Sequence, residues 1–365
     1  MMKGLSLCMI VKNEADLIEK TLLSANPLVK EMIVVDTGST DGTPEIARKL
    51  GARVSYKEWN DNFSDLRNYS IQLASHPFIL ILDADEVIVD SKLCEMQDLF
   101  RYLESNEGSA GAVSIMSETL TGDKSISSIT RIFPNDARYR YEGRIHEQLT
   151  FHGKPIHTII DSLIKINHIG YTPLQIKKKN KYDRNRQLLI KELKERDDKS
   201  YVLYQIGKTY YSQKEYTLAK QYFQECVEIE INTNRRIFLS NALLLLGYCC
   251  IFLRKFDEML FYYNLAIEIY PDYTDLYFMY GVGLIEVKNL NAFKEIPNIF
   301  KHCVELGEPS SLKYETVRGV GSFKAFFNLG LYYELTNNLD LSRYYYELSS
   351  QSGYEPALKR LKHNL

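Results

Sequence analysis

Three apolar runs, each closed by acidic or polar residues, restrict what this chain can fold into. Leu5–Val11 leads into Lys12-Asn13-Glu14, and Glu31–Val35 leads into Asp36 and the polar turn Thr37–Thr43. Phe78–Leu82 leads into Asp83, Asp85 and Glu86. Runs this short and this apolar read as strands buried on both faces of a sheet. The carboxylates at their tips must lie at the sheet edge, because an unpaired buried charge costs several kcal/mol. The carboxyl edge of a parallel sheet is also where open α/β sheets bind ligands.

The same alternation extends to about residue 170. Residues 52–59 and 110–116 read as further strands, and residues 13–25 and 39–51 read as amphipathic helices. Thr43-Pro44-Glu45 has the chemistry of a helix start, and Gly51 that of a helix stop. Strand–helix–strand alternation predicts a mostly parallel sheet, so the first half is α/β. Beyond about residue 175 the strand pattern ceases. A basic stretch at 176–198 comes first, and helical patterns fill the remainder.

Aligned on glycine, Tyr204, Gly207, Tyr210, Ala219 and Phe223 recur as Leu244, Gly247, Cys250, Met259 and Tyr263, followed by Ala266 and Pro271. This spacing resembles that of tetratricopeptide repeats, paired antiparallel helices stacked on one another. Gly281 and Gly330 mark candidate further copies. A plain helical bundle is the alternative; the repeat reading implies a groove that grips a peptide or a second copy of the chain. The expected division is an α/β domain at 1–172, a basic helical linker at 173–200 and a helical repeat domain at 201–365. The basic run 177–186 would attract an acidic partner or phosphates, or else form a solvated helix face.

With 365 residues the chain can build two cores, and a net charge of −2 supplies no global field for nucleic acid or an anionic membrane. No stretch is apolar enough to read as a membrane span, and the amino-terminal residues lack the pattern of a secretory signal. The six cysteines form no CxxC pair, so a cytoplasmic setting with reduced thiols is expected.

Glu14, Asp36, Asp41, Asp83 and Asp85 all fall at strand ends, where so dense a set of carboxylates repels itself unless a cation shares it. Asp-X-Asp offers hard oxygen ligands suited to Mg²⁺ or Mn²⁺. The Walker glycine loop is absent, which excludes that type of nucleotide site.

In order and spacing, residues 5–24, 31–52 and 78–86 resemble the family 2 glycosyltransferases of GT-A fold. That resemblance implies binding of a nucleoside-diphosphate sugar and transfer with inversion at the anomeric carbon. It implies that Asp36 contacts the base, that Arg67 helps hold the nucleotide, that Asp83 lies on the ribose side and that Asp85 reaches the metal. Val11 and Glu14 flank the nucleotide by position. Residues 127–149 resemble the corresponding region of family 2 enzymes that carry tetratricopeptide repeats, among them the peptide S- and O-glycosyltransferases of sublancin-type bacteriocins. There Glu147 is the candidate base, with His146 a neighbour that Glu147 could orient, since displacement needs a group to take the acceptor's proton. Arg131 is a candidate for a phosphate or the acceptor. His168, at the end of another apolar run, is the candidate that completes the metal's coordination.

The expected activity is therefore metal-dependent, inverting transfer, with UDP-glucose as donor and a peptide cysteine or serine as acceptor. A homodimer through the repeats is expected too. Two other readings stand beside it: a transferase for lipopolysaccharide or another surface glycan, and a repeat scaffold without catalysis.

Overall fold

The computed structural model describes residues 4–118, 122–169, 181–233 and 238–363, and the chain separates into two units, Met1–Glu195 and Arg196–Leu365. In the first, strand β1 (Leu5–Val11) runs parallel to both β2 (Glu31–Asp36) and β4 (Phe78–Ile81), and β3 (Arg53–Tyr56) runs parallel to β2. Beyond β4 the sheet becomes mixed. Strands β5 (Glu86–Asp90), β6 (Ser109–Glu118), β7 (Lys124–Pro134) and β11 (Thr158–His168) extend it in the order β3-β2-β1-β4-β7-β6-β11-β5. β7 lies antiparallel between β4 and β6, and β5 lies antiparallel to β11. The motif-bearing strands are thus the parallel part, and their carboxyl ends share one edge.

Period-two alternation sorts the core into two layers. Leu5, Leu7, Met9, Val34, Phe78, Leu80 and Leu82 belong to one cluster, with residues of helices α1 (Ile18–Ala25), α2 (Thr43–Lys49) and α4 (Leu93–Ser105). Cys8, Ile33, Ile79 and Ile81 belong to the other, with Ile71 of helix α3 (Phe63–Gln72). The second layer is completed by Tyr139 and Tyr141 of β8 (Tyr139–Glu142) and by Leu149 and Phe151 of β9 (Gln148–Phe151), which forms a small separate sheet with β8 and β10 (Lys154–Pro155). Each fully buried aliphatic side chain contributes roughly 1.5–3 kcal/mol.

Helix α5 (Lys181–Glu195) falls inside the first unit. Glu192 accepts the backbone N–H of Arg144 at 2.9 Å, and Glu195 accepts its guanidinium at 2.7 and 3.0 Å. Of the stretch read as a linker, residues 173–180 lie outside the described residues.

The second unit is helical: α6 (Ser200–Ser212) and α7 (Tyr216–Thr233), α8 (Leu239–Phe252) and α9 (Phe256–Ile269), α10 (Thr274–Val287) and α11 (Leu290–Leu306), α12 (Phe323–Leu335) and α13 (Leu339–Ser350), then α14 (Glu355–His363). Glycines in the first helices let large side chains close in. A Cβ on Gly207 would lie 2.6 Å from Phe223, one on Gly281 2.7 Å from Phe300, and one on Gly330 2.6 Å from Tyr346. Gly247 instead meets Met279, at 2.5 Å. The pairs that begin near Gly281 and Gly330 therefore share the packing of the first. No helix among the described residues is long and apolar enough to cross a membrane.

Candidate active site

Arg67 is the hub of the sheet edge. Asn62 caps helix α3 by accepting the backbone N–H of Asp65, and the helix buries Arg67 beneath its first turns. Arg67 donates from Nε to Glu147 Oε1 and from Nη2 to Asp83 Oδ1, the latter at 2.7 Å. Its Nη1 is buried without a hydrogen-bond partner, and its guanidinium lies 5.7 Å from the Tyr141 ring centre. Arg131, on β7, donates from Nη2 to Asp83 Oδ2 at 3.1 Å and to Glu86 Oε1 at 2.9 Å. Glu86 Oε2 accepts the backbone N–H of Asp83 at 2.8 Å. Asp83, Arg67, Arg131 and Glu147, all chosen from sequence, are thus brought into one charged network.

The network polarises its own carboxylates. Loss of water would raise the pKa of Asp83, but the two guanidinium groups outweigh that and hold it well below the usual range. Glu86 goes the other way: burial raises its pKa, Arg131 opposes the rise, and the charge of Asp83 adds to it. Glu147 sits in the loop between β8 and β9, where Gly143 and His146 have φ of 107° and 52°. A non-glycine residue in that left-handed region costs of order 1 kcal/mol. The exposed His146 bears that strain while Glu147 turns inward to Arg67.

Antiparallel pairing sets His168 opposite Glu86, and the Ile169 N–H donates to the Asp85 carbonyl at 2.9 Å. This brings His168 Nε2 to 3.2 Å from Asp85 Oδ2, while Nδ1 lies 3.4 Å from Ser117 Oγ. Burial alone would lower the histidine's pKa; the hydrogen bond and charge of Asp85 reverse that and raise it. Among the described residues no set of three or more His, Cys, Asp or Glu side chains surrounds a common point. One carboxylate oxygen and one imidazole nitrogen suit a divalent cation whose other ligands are water and phosphate oxygens.

Asp36 is 1% exposed; its Oδ1 accepts the backbone N–H groups of Gly38 and Ser39 at 3.0 and 2.9 Å, and its Oδ2 is buried without a partner. A buried carboxylate oxygen without a donor in the chain leaves an acceptor free for a ligand or a water. Val11 lies in the core, and its carbonyl accepts both the N–H and the hydroxyl of Thr37. The Glu14 backbone N–H donates to Thr43 Oγ1 at 2.8 Å. Asp41, read from sequence as one of the clustered carboxylates, instead ties two loops together. It accepts the Ala15 N–H at 3.1 Å and the Thr43 hydroxyl at 2.5 Å.

Several contributors are not singled out by the sequence reading. Glu86 braces Arg131 and Asp83. Thr21 Oγ1 donates to the Ala84 carbonyl at 2.7 Å, and Ser24 Oγ accepts the Ile88 N–H at 3.0 Å, so helix α1 fixes the acidic loop. Arg184, on α5, lies 5.5 Å over the Phe63 ring, one helical turn before Arg67. Desolvation lowers its pKa and the charge of Glu14 opposes this.

Residues 6–152 match the family described as glycosyl transferase family 2, and residues 200–230 and 240–273 match the tetratricopeptide repeat. A TPR repeat-containing protein of Synechococcus elongatus is 32% identical over 223 residues, 56% of this chain and 52% of that protein. The SPbeta prophage-derived glycosyltransferase SunS of Bacillus subtilis is 26% identical over 287 residues, 77% of this chain and 67% of that protein. The chain thus spans about half the length of the first relative and about two thirds of the second. Among solved structures, glucosyl-3-phosphoglycerate synthase from Mycobacterium tuberculosis aligns over 32% of this chain and 44% of its own, with 25% identity and a TM-score of 0.26, too low to carry an argument. The first unit of this chain carries a glycosyltransferase family 2 domain, and the second carries tetratricopeptide repeats.

Proposed function

We propose that the chain is an inverting glycosyltransferase that moves a sugar, glucose from UDP-glucose, onto a cysteine or serine side chain of a peptide. The observation that carries this reading is Arg67, which joins Asp83 on the strand β4 edge to Glu147 across the site, within a family 2 domain. Glu147 takes the acceptor's proton as its sulfur or oxygen bonds to the anomeric carbon. The bond from that carbon to the diphosphate breaks, and its electron pair leaves with the phosphate. Attack on the face opposite the leaving group inverts the centre.

The remaining residues bind and orient. The unpartnered Oδ2 of Asp36 suits an N–H of the base, and Asp83 suits the ribose hydroxyls. The buried, unpartnered Nη1 of Arg67 and Nε of Arg131 are guanidinium donors for phosphate oxygens. Arg184, beside Glu14, adds a further cation for the same oxygens. Asp85 and His168 would hold Mg²⁺ or Mn²⁺, which when bound offsets the charge that grows on the leaving diphosphate. The peptide acceptor rests on the resemblance of residues 127–149 described above. A cytoplasmic setting fits Cys8, Cys226, Cys249, Cys250 and Cys303, all free and buried.

The test is incubation with UDP-glucose, Mn²⁺ and a panel of cysteine- and serine-containing peptides, read by intact mass. A hexose added to a peptide supports the proposal. Donor turnover with every peptide unmodified would move the acceptor to a glycan.

A further inference from the structure

The first helices of the repeat pairs converge on a segment of their own chain. Asn241 and Asp275 stand equally far ahead of the helix glycines Gly247 and Gly281, and so occupy matching places in successive repeats. Tyr204 of α6 donates to Asn241 Oδ1 at 2.7 Å and lies 3.5 Å from Glu315 Oε2. Lys208, one turn on, holds both carboxylate oxygens of Glu315 at 2.8 and 3.1 Å. The Tyr273 ring stacks on Tyr314 at 4.1 Å, with 8° between planes, and its hydroxyl donates to the Glu315 carbonyl. Asp272 accepts the Tyr314 hydroxyl at 2.7 Å. Asp275 accepts the Thr316 hydroxyl at 2.6 Å and the Val317 N–H at 2.9 Å.

Tyr273, Tyr314, Thr316 and Asp275 are all buried. Main-chain groups and individual side chains of residues 314–317 are thus read from α6, from α10 and from the turn that precedes α10. That is how a groove recognises an extended peptide: main-chain hydrogen bonds hold it and side-chain sites select it. A tethered segment also has an advantage over any free one, with an effective concentration of order mM.

We propose that the groove formed by α6, the turn at Asp272–Tyr273 and α10, with Asn241 of α8 holding Tyr204, is a peptide-recognition site that the chain fills in cis with Tyr314–Val317. The groove selects an aromatic residue, an acidic residue and a hydroxyl, in that order, and holds the main-chain N–H that follows. It is closed to free peptides while its own segment is seated, which goes beyond the transfer reaction proposed above and does not depend on it.

The test uses the full chain and a fluorescein-labelled synthetic peptide of residues 310–318, followed by anisotropy. Combining Tyr314→Ala, Glu315→Ala and Thr316→Ala should vacate the groove. The peptide should then bind saturably and at least tenfold more tightly than to the parent, and Lys208→Glu in the same background should remove that binding. Equal binding to parent and variant, or binding to neither, overturns the proposal. Should the triple variant fail to fold, amide hydrogen exchange at Val317 and Gly319 decides. It should quicken in Lys208→Glu and return to the parental rate in Lys208→Glu/Glu315→Lys. Exchange that is unchanged by the first substitution, or not restored by the pair, overturns it equally.

Discussion

Glu86→Gln is a near-isosteric change that tests the charged network without emptying it. Glu86 is 4% exposed and accepts on both oxygens, from Arg131 at 2.9 Å and from the Asp83 N–H at 2.8 Å. Glutamine has one acceptor oxygen, so its amide NH₂ must face one of those two donors. An unsatisfied buried donor costs about 1–3 kcal/mol, and here both the amide and the displaced donor lose a partner. Arg131 keeps Asp83, which limits the loss, so we expect a destabilisation of about 3 kcal/mol. The chain's single tryptophan, Trp59, lies in the first unit and reports on that unit alone. With a urea dependence of about 2 kcal/mol per M, the fluorescence midpoint should fall by about 1.5 M. A midpoint within about 0.2 M of the parent would refute the reasoning, because it would mean that Glu86 does not brace Arg131 and Asp83.

Three further outcomes are expected. Glu147→Gln should lower kcat about 10²- to 10⁴-fold with a serine acceptor and less with a cysteine acceptor, whose thiol ionises near pH 8.5 without help; equal losses on the two peptides would remove Glu147 as the base. Burial pushes Asp275 up to about 7, against the opposing hydrogen bonds of Thr316 and Val317. Its folded-state pKa is raised, so the stability it contributes is complete below the unfolded value near 3.8 and is lost as pH rises towards 7. Asp275→Asn mimics the protonated acid, and thermal melts of its helical signal between pH 4.5 and 8 should be flatter than the parent's; parallel curves would contradict the shift. Gly330→Ala puts a methyl 2.6 Å from the buried Tyr346 ring, and overpacking should destabilise the chain by about 1–3 kcal/mol and lower its thermal midpoint despite alanine's better helix propensity; an unchanged midpoint would show that the contact yields.

Much of this architecture was legible because it is written in local patterns. Apolar runs gave β1, β2 and β4 almost residue for residue, and their polar ends marked the edge. Gly330 and Tyr346 keep the separation of Gly207 and Phe223, so the last helix pair could be suspected from spacing; Phe300 stands three residues later than that spacing from Gly281, which hides the pair before it. What escaped was set by distant contacts. Glu86 looks like one more carboxylate at a strand tip, and only the turn into β5 sends it inward to Arg131. Arg184 lies in the basic run that reads either as attracting phosphates or an acidic partner or as a solvated face, and Glu192 and Glu195 follow it; their partners Phe63 and Arg144 are remote in sequence. Charge groups Asp41 with the site, while its hydrogen bonds to Ala15 and Thr43 are a local loop contact that charge alone does not reveal. The filled repeat groove was illegible for the same reason: Tyr314–Val317 has no pattern until the helices it crosses are in place.

The most direct test of the donor site is calorimetric titration of UDP-glucose into the parent chain with Mn²⁺, with a chelator, and into Asp85→Asn with Mn²⁺. Saturable binding is expected in the first case and its loss in the other two. Binding that survives both the chelator and the substitution would contradict the roles given to Asp85 and His168, and no binding of UDP-, GDP- or TDP-sugars under any condition would contradict the donor site itself.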